Sequence, residues 1–137
     1  GFHSLQKYKN IDFLIINENE LRYELREKNV KIEDLIMKVC KKFKIKMLVL
    51  TRGADGSILF HKNKFYYCPA FASSVVDKVG AGDAMMAMMS LLINQKFDLK
   101  LSLFLGALAA ANNVEKLNNL ERINKTNFLK NATHMMK

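Results

Sequence analysis

The sequence predicts an α/β fold in layers. Three observations carry this: two short, continuously apolar runs that end in polar residues, an amphipathic helical face between them, and Ala/Leu-rich helical stretches after a hairpin.

In order along the chain, residues 11–16 (Ile-Asp-Phe-Leu-Ile-Ile) read as a strand buried on both faces. Residues 18–28 follow with Leu21 and Leu25 four apart among charges, which is helical spacing. Ile32, Leu35, Ile36, Val39, Cys40 and Phe43 then fall at i, i+3, i+4, i+7, i+8 and i+11, one apolar face of a helix. Residues 46–51 predict a second buried strand, running into Arg52-Gly53-Ala54-Asp55-Gly56. A third strand is expected over 57–61, a turn at Lys62-Asn63-Lys64, and a fourth strand from Phe65-Tyr66-Tyr67, closing a hairpin. Beyond Pro69, residues 72–79 read as a loop or short strand. Gly80-Ala81-Gly82-Asp83 opens an apolar helix to about residue 92. Further helices are expected over 99–114 and about 126–135. No repeat, low-complexity tract or Pro/Gly/Ser linker marks a boundary, so residues 1–137 are expected to form one domain. Both early strands look fully buried, yet few strands are left to flank them. That predicts a larger sheet whose remainder lies elsewhere, with an open edge that a second copy could cover as a homodimer.

Composition narrows the class. Half of the 137 residues are hydrophobic and 26% are charged, which suits a soluble chain with a core. No apolar run reaches the length of a membrane span. No basic-then-apolar leader is seen at Gly1-Phe2-His3-Ser4. Two cysteines, Cys40 and Cys68, build no disulfide framework, and no Cys/His spacing resembles a zinc site. A cytoplasmic location is expected. The net charge of +9 invites a nucleic-acid reading. However, 18 of the 22 basic residues are dispersed lysines without an Arg-rich or aromatic motif, so solvated surface is favoured and no nucleic-acid partner is expected.

The chemistry sits in Val76-Asp77-Lys78-Val79-Gly80-Ala81-Gly82-Asp83-Ala84. Glycines at a helix start let a ligand approach the backbone, and the free N–H groups with the positive dipole end attract anions. An acid there, Asp83, is unfavourable beside an anion unless it has a task such as accepting a proton. An ordinary Gly-rich cap with Asp in the first turn explains the same residues.

With its flanks, this segment resembles the C-terminal signature of the ribokinase-like (PfkB) carbohydrate kinases, Asp-Thr/Ser-x-Gly-Ala-Gly-Asp before an apolar helix. Two further segments match in the family's order, each after a buried strand. Asn17-Glu18-Asn19-Glu20 is similar to its Asn-x-x-Glu motif, and Thr51-Arg52-Gly53-Ala54-Asp55-Gly56 to its Thr-x-Gly-x-x-Gly nucleotide loop. The resemblance implies a truncated three-layer α/β/α ribokinase-like fold and ATP-dependent phosphorylation of a sugar or sugar-phosphate hydroxyl. It makes Asp83 the general base and the Gly80, Ala81 and Gly82 backbone the anion hole. It places Thr51, Gly53 and Gly56 at the nucleotide phosphates, Asn17 and Glu20 at Mg²⁺ through water, and Asp77 at a monovalent cation such as K⁺.

Other readings stand beside these. Asn17 could be a plain helix cap with Glu20 completing a capping box, and residues 51–56 could be only a turn. Met85-Met86-Ala87-Met88-Met89 reads as core filling and Cys40 as an inert core thiol. His3, His61 and His134 share no ligating spacing.

Lys78 stands where relatives carry a small Thr or Ser, and Asn112-Asn113 interrupt the Ala-rich helix. Members of the family are about twice as long. The resemblance therefore implies that the N-terminal half, with most of the sugar pocket, is a missing partner and that the fragment is inactive alone. A non-catalytic nucleotide-binding or regulatory remnant is the alternative. Pro69-Ala70-Phe71-Ala72 and Phe104-Leu105-Gly106 look closest to heptose-kinase-like members, some fused to a cytidylyltransferase.

Overall fold

The computed structural model describes residues 5–71 and 80–117. The strands are β1 (Phe13–Asn17), β2 (Met47–Thr51), β3 (Ser57–His61) and β4 (Lys64–Cys68). The helices are α1 (Glu18–Leu25), α2 (Ile32–Phe43), α3 (Ala81–Asn94) and α4 (Leu99–Leu117), with 3-10 turns at Leu5–Lys7 and Gly53–Asp55. The segment 72–79, with Asp77 and Lys78, and the helix expected over 126–135 lie outside the described residues.

The strands form one sheet in the order β1-β2-β3-β4. β1 and β2 are parallel, from Phe13 beside Met47 to Asn17 beside Thr51. Parallel neighbours need a crossover, and α1 and α2 supply it. β3 and β4 are joined by Lys62 and Asn63 alone, both at positive φ (47° and 60°), the backbone of a tight hairpin turn.

The chain divides into two compact units, one of Gly1–Arg52 with Ile58–Tyr67 and the other of Gly53–Ser57 with Cys68–Lys137. In the first unit α2 buries Ile32, Leu35, Ile36, Val39, Cys40 and Phe43, the six positions of the expected face. They join Ile16, Leu21, Leu48, Leu50, Ile58 and Phe60 in one core. α1 and α2 both stop on a residue in the left-handed conformation, Arg26 (φ 54°) and Lys44 (φ 53°). The Lys44 N–H bonds back to the Cys40 carbonyl, satisfying a helix-end acceptor. The Arg26 stop ends α1 at Leu25, three residues short of the expected span.

β2 is as buried as its sequence predicts, with residues 47–50 all inside. β1 departs from expectation: only Ile16 is buried, and Phe13, Leu14 and Ile15 are half-buried. The reason is position. β1 is an edge strand among the described residues, so an apolar run suited to a sheet interior has a neighbour on one side only.

In the second unit α3 packs on α4, with Met85 and Met89 buried as core filling. A Cβ at Gly106 of α4 would lie 2.4 Å from the Met89 Cγ, so this glycine is what lets the two helices approach. Leu108 and Ala109 pack with Phe71, Met88, Phe104 and Leu105, and the Phe71 and Phe104 rings meet edge-on at 5.0 Å.

Candidate functional site

Asn17 ends β1 and caps α1, and it stands in register beside Thr51, the last residue of β2. Two polar residues thus share the carboxyl end of a parallel strand pair, where open α/β sheets take their ligands. The Asn17 side chain accepts from the Glu20 N–H at 2.8 Å, and the Asn17 N–H donates to Glu20 Oε2 at 3.2 Å. This is the reciprocal capping box. It also fixes the exposed Glu20 carboxylate at the strand end, with Oε1 taking no part in the box. Cap and ligand-holding roles are therefore compatible here.

Behind this turn lies a charged cluster of residues that the motifs do not specify. Glu18 Oε1 accepts from Arg22 at 2.8–2.9 Å, and Glu18 Oε2 accepts from the Arg52 Nε at 2.8 Å. Arg22 also donates to the Lys28 and Val30 carbonyls at 3.0 Å each, tying down the segment between α1 and α2. The Arg52 hydrogen bond, helped by Arg22 and opposed by burial, holds the Glu18 carboxyl below its usual value of 4.5. Glu18 and Arg22 are four apart on a helix, a spacing visible in sequence. Arg52 is 34 residues away, and only the parallel register brings it to Glu18.

In the second unit, Gly53 (φ 57°) and Gly56 (φ 83°) form a turn closed by the Gly56 N–H on the Gly53 carbonyl at 3.1 Å. Gly53 is exposed and Gly56 is buried. A Cβ at Gly56 would lie 2.1 Å from the Cys68 carbonyl oxygen, so the chain itself already requires glycine there. α3 opens on Gly80, left-handed at φ 86°, and no side chain caps it. The first bond of this helix runs from the Ala84 N–H to the Gly80 carbonyl at 3.0 Å, and helix geometry leaves the N–H groups before it without intrahelical acceptors. Asp83 sits exposed in the first turn. A Cβ at Gly82 would meet nothing within 4 Å. Unlike Gly56 and Gly106, Gly82 has no packing reason among the described residues to be glycine.

The remaining candidates are structural where they are described. The His61 Nδ1 lies 2.9 Å from the Lys46 carbonyl. Cys40 is buried, and burial pushes its thiol up to about 12. Among the described residues no group of three or more His, Cys, Asp and Glu side chains stands together. No described helix is long and apolar enough to cross a membrane.

The first unit presents polar strand ends and the second an uncapped, glycine-opened helix start, each a kind of feature at which α/β proteins take ligands. Comparison with known proteins makes this specific. The family model described as pfkB family carbohydrate kinase matches residues 3–125, and the chain belongs to that family of phosphotransferases. It is 32% identical over 114 residues to the bifunctional protein HldE of Campylobacter curvus, covering 81% of this chain and 24% of that protein. It is 29% identical over 112 residues to a nucleoside kinase of Methanocaldococcus jannaschii, covering 81% of this chain and 35% of the kinase. The structure of Arabidopsis thaliana ribokinase complexed with ribose and ATP superposes with a TM-score of 0.65 at 29% identity, over 77% of this chain and 35% of that one. The fold is ribokinase-like, and the chain spans about a quarter to a third of these relatives' length.

Proposed function

We propose that this chain is the nucleotide-binding and catalytic portion of a longer kinase that transfers the γ-phosphoryl of ATP to a sugar or sugar-phosphate hydroxyl. The observation that carries the reading is the start of α3, where Gly82 is open to its surroundings and Asp83 stands exposed in the first turn. Asp83 takes the proton from the acceptor hydroxyl as its oxygen bonds to the γ-phosphorus and the bond to the β–γ bridging oxygen breaks, leaving ADP. The N–H groups of Gly80, Ala81 and Gly82 face the charge on the transferring group, where oriented donors stabilise the transition state most. Thr51 and Gly53 contact nucleotide phosphates, and Gly56 shapes their turn from within.

Asn17 and Glu20 are an all-oxygen pair held rigidly by the capping box, with a carboxylate oxygen facing solvent. That suits Mg²⁺, which binds through one or two carboxylates and retained water. When bound, Mg²⁺ neutralises phosphate charge. Asp77 would serve a monovalent cation such as K⁺. Among acceptors, the likeness to the bifunctional protein HldE favours a sugar phosphate of the heptose type, in a protein carrying a second activity.

The test is Asp83→Asn in the full-length protein. Loss of a general base lowers turnover by about 10²–10⁴ while nucleotide affinity stays near wild type. Turnover within tenfold of wild type removes Asp83 from the role. Absence of ATP–Mg²⁺ binding by the full-length wild type in calorimetry supports a non-catalytic remnant instead.

A further inference from the structure

The Asn-x-x-Glu and Thr-x-Gly motifs are joined by a side-chain strut built from residues at their unspecified positions. Arg52 follows the last residue of β2, and its Nε donates to Glu18 Oε2 at 2.8 Å, where Glu18 is the first residue of α1. Glu18 is held from the other side by Arg22, which is itself fixed to the Lys28 and Val30 carbonyls. Both ends of the Arg52–Glu18 pair are mostly withdrawn from solvent, with side chains 26% and 21% exposed. The pair spans the adjacent strand ends at which Asn17 and Thr51 stand side by side.

We infer that Arg52 and Glu18 are positioning residues for the nucleotide site: their ion pair fixes the exit of β2 against the first turn of α1. It thereby holds Thr51 and the Asn17–Glu20 turn in one geometry before ligand arrives. The β2 exit leads directly into the Gly53–Asp55 turn, whose Gly53 imposes no stiffness of its own. Without the strut, MgATP would have to order that exit on binding, and ordering costs affinity. This rests on the nucleotide-binding reading above.

The experiment measures MgATP affinity by calorimetry, and the KM for acceptor, in the full-length protein. The set is wild type, Glu18→Ala, Arg52→Ala, the double variant and Arg52→Lys. Each single alanine variant should weaken MgATP about tenfold, the scale of ordering one or two side chains or their equivalent in loop backbone. The double variant should be no weaker than the weaker single, because one strut can be lost only once. The acceptor KM should stay within twofold, and Arg52→Lys, whose cation still reaches Glu18, should recover most of the affinity. Weakening by Arg52→Ala without weakening by Glu18→Ala would mean that Arg52 touches nucleotide itself, and overturns the strut. So would variants that lower the melting temperature and leave MgATP affinity unchanged. No MgATP binding by the wild type overturns the functional reading and this inference with it, whereas wild-type binding with unaffected variants overturns the inference alone.

Discussion

A methyl group added at Gly82 meets nothing within 4 Å, whereas at Gly106 it strikes the Met89 side chain and at Gly56 the Cys68 backbone. Gly→Ala substitutions should therefore separate by cause. Gly82→Ala should leave the melting temperature unchanged or slightly raised, since alanine is the better helix former. Its turnover in the full-length protein should fall at least tenfold if ligand approaches the backbone there, given that a misplacement of about 1 Å can cost about 10²-fold. Gly106→Ala should destabilise by about 1–3 kcal/mol through overpacking, and Gly56→Ala by more, because a left-handed φ and a backbone clash act together. Chemical denaturation reads all three. The place of residues 80–82 before an apolar helix is what reads as a ligand site in the sequence, and the open space at Gly82 supports that proposal. Gly56 carried the same motif value, yet its fixed requirement is the strand end at Cys68, a contact between residues twelve apart that spacing does not reveal.

At the level of elements, α2 was fully legible, because a 3.6-residue period over twelve residues admits one buried face. The hairpin was legible too, although Lys62 and Asn63 are not its usual Asn-Gly pair. The Glu18–Arg52 pair was not, since it depends on strand register. At the start of α1 the cap is observed and the binding role is proposed for the same residues, and substitution can part them. Asn17→Ala should cost about 1 kcal/mol through loss of the cap. Asn17→Ser retains a capping oxygen, so it should keep most of that stability while weakening the Mg²⁺ dependence of turnover. An Asn17→Ser variant that keeps both its stability and its Mg²⁺ dependence would reduce Asn17 to a cap alone. The Glu18 carboxyl titrates below its usual 4.5, chiefly because of Arg52. Its contribution to stability is thus complete above pH 4.5 and lost as pH falls through the lower folded value. Glu18→Ala should lower the melting temperature at pH 7 but converge on wild type in more acid buffer. A constant difference across that window would mean that packing, rather than the ion pair, supports α1.

For the molecule as a whole, the decisive features are the open edge of β1 and the share of its relatives that the chain spans. Half-buried Phe13, Leu14 and Ile15 lie on a strand paired on one side only among the described residues. Beside them runs a groove of about 1570 Å³ lined in part by Leu5, Tyr8, Ile11, Ile16 and Tyr23. An apolar edge strand invites pairing with another chain, so purified residues 1–137 should self-associate, and sedimentation at increasing concentration would read it. Phosphoryl transfer depends on positioning, worth effective molarities of about 10⁵–10⁸ M for oriented reactants. Asp83 can take a proton only from a hydroxyl held within about 2.6–3.2 Å. The chain corresponds to 24–35% of the length of these two relatives, HldE and the nucleoside kinase, and the acceptor pocket is expected in the remainder. Residues 1–137 alone should therefore show at most slow ATP hydrolysis, with no acceleration by any sugar. Adding the rest of the protein as a separate chain should restore sugar-dependent ADP release if it covers the β1 edge. Sugar-dependent ADP release by residues 1–137 unaided, at ordinary kinase rates of about 1–100 s⁻¹, would place the acceptor site within this chain or its dimer.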